Sequence, residues 1–312
     1  MEKNRRLGRV KAMSEHTIMR SRLEIQEIKR FRTPAKLTPY LRVLRLRRDG
    51  FHEVELALVP VTLFDTIEFR PGTGGGLSLE TRGLALDCPP EQNLVYRAAA
   101  AFGRAAGLDP VLRITLEKRI PAGAGLGGGS GNAAGTLVAL NAAAGHPLAE
   151  RKLRRLALEL GSDVPFFLAP RPAMARGRGE ELEPLERFPS LSFLVVMPPL
   201  SISTADAYRM VEPEPAAGPP PELGSFREVL RGLRNSFEPA LFPRYPELPR
   251  VKRALLENGA AGVLLSGSGA ALFGLFSDAG ARDAAEQRLR EFQSWRVFPC
   301  DSLQRHSYLE AG

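Results

Sequence analysis

Cysteine and histidine are scarce in this 312-residue chain: Cys88 and Cys300 are the only two thiols, and His16, His52, His146 and His306 the only imidazoles. The cysteines stand far apart and form no CxxC or Cys/His spacing. Neither a disulfide framework nor a zinc site is expected, and a reducing, cytoplasmic setting is. No HxxxH pair occurs, so no protein-ligated transition metal is expected. No apolar run reaches the roughly 18 residues that a membrane-spanning helix needs, and the N-terminus lacks the apolar segment of a secretory signal. Basic charge is missing where a nucleic-acid binder needs it. The net charge is +8, but ten Lys/Arg against four Glu in residues 1–32 account for +6 of it. The remainder of the chain therefore carries no basic stripe, and neither nucleic acid nor membrane is an expected partner. The hydrophobic share of 44% and charged share of 25% are those of an ordinary globular protein, long enough for two domains or one large one. No oligomeric state is legible in it.

Glycine, by contrast, is concentrated in one place. Residues 118–134 read KRIPAGAGLGGGSGNAA, with six glycines from Gly123 up to Ala133. Each costs conformational entropy on folding, so a run this dense is expected where backbone must approach something closely. Residues 111–120 before it alternate as a strand does, and residues 136–145 after it are rich in helix formers. Strand, glycine loop and helix together make an anion site: free N–H groups and a helix dipole converge on a phosphate. A Walker loop requires GxxxxGK[ST], and no Lys follows these glycines. The spacing from Gly123 to Gly128 satisfies GxGxxG, but the second strand with its acidic end, about 20 residues on in a dinucleotide fold, is replaced by Ala- and Leu-rich helix.

The rest of the chain reads as alternating strands and helices. Residues 33–69 read as strands, alternating over 40–46 and over 54–61, with a turn at Asp49-Gly50 between. Lys36 lies at the start of the first, where a solvated edge residue and a functional ammonium are both open readings. The glycine cluster at residues 71–76 reads as a hairpin loop. A helix is expected over residues 93–106. A second carries Leu153, Leu156, Ala157 and Leu160 at helical spacing and ends at Gly161. Asp163 then sits just past that helix and ahead of an apolar strand, as a turn residue or as a free carboxylate. Residues 192–197 form an expected strand, Ser203-Thr204 a helix start leading to Tyr208, and residues 213–224 a Pro-rich surface loop. Helices over 226–233 and 245–258, a strand–Gly-Ser-Gly–strand unit over 262–276, a helix over 283–292 and a short strand over 295–299 complete the pattern.

PAGAGLGGGSGNAA resembles the second motif of the GHMP kinases, and its GLGGGS form is similar to the branch that phosphorylates the 2-hydroxyl of 4-diphosphocytidyl-2-C-methyl-D-erythritol in non-mevalonate isoprenoid synthesis. Pro34-Ala35-Lys36-Leu37, Asp49-Gly50-Phe51-His52, Asn93-Leu94 and Gly161-Ser162-Asp163-Val164-Pro165-Phe166-Phe167 resemble further motifs of that branch, in its order. So do the turn Arg176–Glu180, Ser203-Thr204 with Tyr208, Asn235–Glu238 and Ser266-Gly267-Ser268-Gly269-Ala270. The resemblance implies an α+β, two-domain fold. Residues 33–186 would form an ATP-binding domain like ribosomal protein S5 domain 2, and residues 187–312 a ferredoxin-like domain. Residues 1–32 are expected to be a flexible or mis-assigned basic extension.

The resemblance also implies roles. Pro121, Gly123, Ala124, Gly125, Leu126 and Gly127, continuing through Gly128, Gly129 and Ser130, would wrap the phosphates of ATP, with Asn93 near the adenine. No acidic residue lies in the loop, so Mg²⁺ is expected to be held mainly by phosphates and water. Asp163 would act as general base beside the Lys36 ammonium. Thr38, Thr204, Gly267 and Ser268 would contact the CDP-linked sugar alcohol, and Phe51 and Tyr208 would sandwich its pyrimidine beside His52; core packing is the other reading of those two rings. The branch has Asn where Thr38 stands and Tyr where Phe51 stands, and Pro39 removes a strand donor. These departures leave two alternatives: a kinase of another small alcohol, and a catalytically weak ATP-binding regulator.

Overall fold

A computed structural model describes residues 21–23, 29–72, 76–214 and 218–308. Residues 73–75 of the second glycine cluster and 215–217 of the Pro-rich loop lie outside the described residues, as does most of the N-terminal extension.

A short strand, β1 (Ser21–Leu23), precedes a long antiparallel pair, β2 (Lys29–Leu46) and β3 (His52–Pro71). The expected Asp49-Gly50 turn joins the pair: the Asp49 carboxylate accepts the Phe51 N–H at 3.2 Å, and Gly50 takes φ +82°. The strands cover the expected 33–69 stretch and run a few residues past each end; residues 33–43 and 56–61 are buried on both faces, which blurs the period-2 signal there, while 62–69 alternate. Register shifts between Leu37 and Tyr40, so Thr38 and Pro39 form a bulge, and the missing N–H of Pro39 leaves the ladder unbroken. The extension expected over residues 1–32 is partly folded. Lys29 to Arg32 pair with Phe69 to Thr66, and the buried Phe31 ring meets Phe69 edge-on at 5.3 Å.

β4 (Leu77–Gly83) does not form the expected hairpin with β3. After α1 (Leu94–Ala106) and the bridge strand β5 (Leu108–Pro110), which pairs with β1, β6 (Leu112–Lys118) inserts between them. It runs antiparallel to β3 and parallel to β4. The apolar alternation of β6 gives it a core face, and that burial outweighs the local turn signal. α2 (Gly128–Ala143) begins inside the glycine run, eight residues earlier than its helix formers suggest. α3 (Glu150–Leu160) ends at Gly161, and Val164–Phe167, expected as a strand, is a helical turn, α4, with Pro165 in its first turn where no N–H is needed. β7 (Ala173–Arg176) and β8 (Glu181–Pro184) pair beside β3.

β9 (Ser192–Met197) opens a second sheet. α5 (Thr204–Met210), α6 (Phe226–Gly232), β10 (Arg234–Asn235), α7 (Glu238–Leu241) and α8 (Glu247–Glu257) follow it. β11 (Gly262–Leu265), β12 (Leu272–Phe276), α9 (Ala279–Leu289) and β13 (Arg296–Asp301) complete the chain. The sheet order β11-β12-β9-β13, all antiparallel, with α8 and α9 on one side, is the ferredoxin-like βαββαβ arrangement. The two sheets meet face to face. Ala35, Leu37, Val59 and Val61 of the first pack in one cluster with Phe193, Val195, Phe273 and Leu275 of the second. The opposite faces are covered by helices, α1 and α2 on one sheet, α8 and α9 on the other. β10, from the second half of the sequence, pairs in parallel with β2 and ties the halves together. Among the described residues, no helix is long and apolar enough to cross a membrane.

Candidate active site

Four distant segments converge on one cleft of about 410 Å³. Its floor is the glycine loop. Gly125 and Gly127 take φ +73° and +68°, in the left-handed region that side chains disfavour. A Cβ on Gly125 would stand 1.9 Å from the Ser266 carbonyl oxygen, and one on Gly127 would stand 3.0 Å from Cγ of Lys36. The loop is therefore pressed between the turn after β11 and the Lys36 stem, and only glycine fits. Ser266 Oγ donates to the Gly125 carbonyl at 3.2 Å, and the Lys36 N–H donates to Leu126 at 2.9 Å. Because α2 starts at Gly128, the N–H groups of Gly128, Gly129 and Ser130 occupy its first turn, which has no carbonyl partners within the helix. Pro121 to Ser130 all line the cleft, the full set expected for a phosphate cradle.

Beneath the loop lies a polar network that the sequence reading missed. Lys118 Nζ donates to Asp65 at 2.6 Å and also to the Ile120 carbonyl. The other Asp65 oxygen accepts the N–H groups of Arg119 and Ile120 at 2.7 and 2.8 Å, and Asn132 Nδ2 donates to the carboxylate at 2.9 Å. Thr33 Oγ1 donates to Asn132 Oδ1 at 2.5 Å. All four side chains are buried. Burial pushes the Lys118 ammonium below its ordinary pKa, and the Asp65 charge opposes that shift. The pair thus clamps the strand-to-loop junction onto β3 and α2. Asp65 and Lys118 are 53 residues apart, so no local pattern could have announced them.

Lys36 and Asp163 face this same cleft from opposite segments. Lys36 is buried; desolvation lowers its pKa, and the negative charge of Asp163 pulls it back up. Asp163 sits where α3 ends and α4 begins, so backbone rather than side-chain contacts hold it at the cleft wall. Thr38 is fully buried and does not reach the acceptor side as expected. Its hydroxyl accepts a hydrogen bond from Lys36 Nζ at 3.0 Å, so it aims the ammonium instead. Asn93 lines the far end of the cleft beside Leu86, Cys88 and Gln92, where its carbonyl oxygen caps α1 by accepting the Val95 N–H at 2.9 Å.

A second cavity of about 880 Å³ opens from the first, and Ser130, Asp163, Arg178, Thr204 and Tyr208 line both. Phe51 and His52 lie in its wall. The two rings expected to form a sandwich are each already covered. His52 stacks on Tyr208 at 5.0 Å and 27°, and the Arg178 guanidinium lies 3.6 Å from the centre of the half-exposed Phe51 ring. Burial and the Asp163 charge raise the Tyr208 phenol to about 12, which keeps it protonated. Gly267 and Ser268 line the first cavity, and Ser268 Oγ meets Thr204 Oγ1 at 3.2 Å. Asn235 clamps their turn, donating to the carbonyls of Leu265 and Gly267 at 2.8 Å each.

The family described as GHMP kinases N terminal domain matches residues 93–170, and that described as GHMP kinases C terminal matches residues 221–294. A 4-diphosphocytidyl-2-C-methyl-D-erythritol kinase of Pelotomaculum thermopropionicum is 42% identical, over 78% of this chain and 88% of the relative. Its counterpart in Syntrophotalea carbinolica is 37% identical, over 88% and 98%. A crystal structure of a 4-(cytidine 5'-diphospho)-2C-methyl-D-erythritol kinase superposes with a TM-score of 0.74 at 38% identity, covering 88% of this chain and 98% of that one. A homoserine kinase structure from Cytophaga hutchinsonii, 19% identical with a TM-score of 0.63, shares the fold. The chain belongs to the GHMP kinases, in the family of 4-diphosphocytidyl-2-C-methyl-D-erythritol kinases.

Proposed function

We propose that the protein transfers the γ-phosphoryl group of ATP to the 2-hydroxyl of 4-diphosphocytidyl-2-C-methyl-D-erythritol. The observation that carries this reading is the convergence of the glycine loop, Lys36 and Asp163 on one cleft, joined to a second cavity large enough for a nucleotide-linked acceptor. The loop and the first turn of α2 supply N–H donors to the phosphates, and the cleft end at Asn93 receives the adenine. The Asp163 carboxylate accepts the proton of the acceptor hydroxyl. The Lys36 ammonium, aimed by Thr38, stabilises the alkoxide and the charge shifting onto the phosphoryl oxygens. Mg²⁺ would be held mainly by phosphates and water, with the Ser130 hydroxyl of the loop beside it, and would neutralise phosphate charge.

The alternative readings rested on Thr38, Pro39 and Phe51. Thr38 and Pro39 are buried together in the β2 bulge, with Thr38 on Lys36, and line neither cavity. Phe51 does lie in the acceptor cavity and keeps an aromatic ring there. Incubation with ATP, Mg²⁺ and the acceptor, followed by phosphorus NMR, tests the reading. A new phosphomonoester on the 2-position with stoichiometric ADP is expected. Phosphorylation of homoserine or a phosphomevalonate instead would overturn it.

A further inference from the structure

Arg178 stands out among the groups at the cleft that have no assigned role. It occupies the tight turn between β7 and β8, flanked by Gly177 and Gly179 at φ +69° and +106°. Its guanidinium carbon lies over the Phe51 ring, 3.6 Å from the ring centre, and one terminal nitrogen reaches Ser162 Oγ at 3.3 Å. Its Nε is fully buried and has no hydrogen-bond partner; among the described residues no carboxylate lies within salt-bridge distance of the guanidinium, although its charge acts on Asp49. A buried, unpaired donor on a permanent cation calls for an explanation, because such groups are ordinarily satisfied. The position supplies one: Arg178 belongs to the neck that joins the two cavities, together with Asp163 and Ser130.

Any acceptor whose base lies among Phe51, His52 and Tyr208, and whose hydroxyl reaches Asp163, must thread its middle past this neck. In a nucleoside-diphosphate ester that middle is the diphosphate. A planar guanidinium with free donors matches phosphate oxygens in geometry and charge. We propose that Arg178 binds the diphosphate of the acceptor and is the residue by which this site selects a nucleotide-linked alcohol over a simple one. The inference rests on the acceptor reading above. The Phe51 ring stacks the guanidinium and holds it in place. The terminal nitrogen now on Ser162 Oγ is the donor that the geometry offers to the phosphate oxygens at the neck.

Calorimetric titration with CDP and with cytidine, at saturating ADP to fill the nucleotide end, tests this on the wild-type protein and on Arg178→Gln and Arg178→Lys. The wild type is expected to bind CDP roughly ten- to a hundredfold tighter than cytidine, the range of a charge-assisted hydrogen-bonded contact. In Arg178→Gln that ratio collapses while cytidine binding persists, and Arg178→Lys restores part of it. In turnover, the acceptor KM rises in Arg178→Gln and the ATP KM does not. A ratio that survives in Arg178→Gln, or CDP and cytidine weakened by the same factor, would reduce Arg178 to a cover for the Phe51 ring and overturn the proposal. Failure of the wild type to bind either ligand would instead bring down the acceptor reading, and this inference with it.

Discussion

In the proposed mechanism Lys36 supplies the ammonium at the transferred phosphoryl group, and that charge is held against its surroundings. Burial lowers its pKa from 10.5, and the Asp163 charge raises it. Since the folded pKa lies below the unfolded one, the protonated lysine costs stability at every pH below the folded value. That cost is relieved as pH climbs from the folded pKa toward 10.5. Replacing Asp163 by Asn removes the opposing term, so the Lys36 ammonium is expected to titrate at lower pH in Asp163→Asn, as read by side-chain nitrogen NMR; an unmoved titration would show the two groups to be uncoupled. Both residues were legible in the sequence only through the motifs around them, because a strand lysine and a turn aspartate are each commonplace. Arg178 was legible only as one residue of a matched turn with no role attached, and Asp65 was not legible at all. Their meaning lies in neighbours that only folding supplies: the Phe51 ring and the cavity neck for one, Lys118 and Asn132 for the other.

At the scale of elements, the glycine loop is set by what touches it from both sides. Gly125→Ala would add a Cβ 1.9 Å from the Ser266 carbonyl oxygen at φ +73°. The left-handed conformation alone costs on the order of 1–3 kcal/mol, and the clash forces the loop off the β11–β12 turn. Loss of ATP binding is expected, whereas Gly129→Ala, whose Cβ meets only the flexible tip of Leu94 at 3.3 Å, is expected to keep it; equal effects in a nucleotide titration would refute the contrast. Below the loop, Asp65→Ala leaves the Lys118 charge buried and unpaired, at a cost of about 3–5 kcal/mol. The double substitution Asp65→Leu/Lys118→Met is expected to cost less than Asp65→Ala alone, measured by urea denaturation. The start of α2 was misplaced from sequence because Gly128 and Gly129 are poor helix formers. Close packing of Gly128 on Ile120 and Lys118, and of Gly129 on Leu94, holds them in a helical first turn regardless.

Across the whole molecule, two sheets pressed face to face with helices outside set the cleft between the glycine loop of one half and the β11–β12 turn of the other. The ferredoxin-like half was well marked in the sequence because its strands are short and bounded by turn residues. The first half was less so in its connectivity: β6 enters between β3 and β4, a non-local pairing that no hairpin signal encodes. A cut before Ser21 is expected to leave melting temperature and turnover unchanged. A cut after Arg32 removes Phe31 from the core and four pairs from the β2–β3 ladder, and is expected to lower the melting temperature. Equal melting temperatures for the two truncations would show that those pairs contribute nothing. The central claim is that Asp163 activates the acceptor hydroxyl in a cleft whose ATP site is built separately from it. Steady-state turnover of ATP and 4-diphosphocytidyl-2-C-methyl-D-erythritol by wild type and Asp163→Asn, with ATP affinity measured alongside, tests this most directly. The account predicts a fall in kcat of about 10²–10⁴-fold with ATP affinity retained; a variant with undiminished kcat would contradict it.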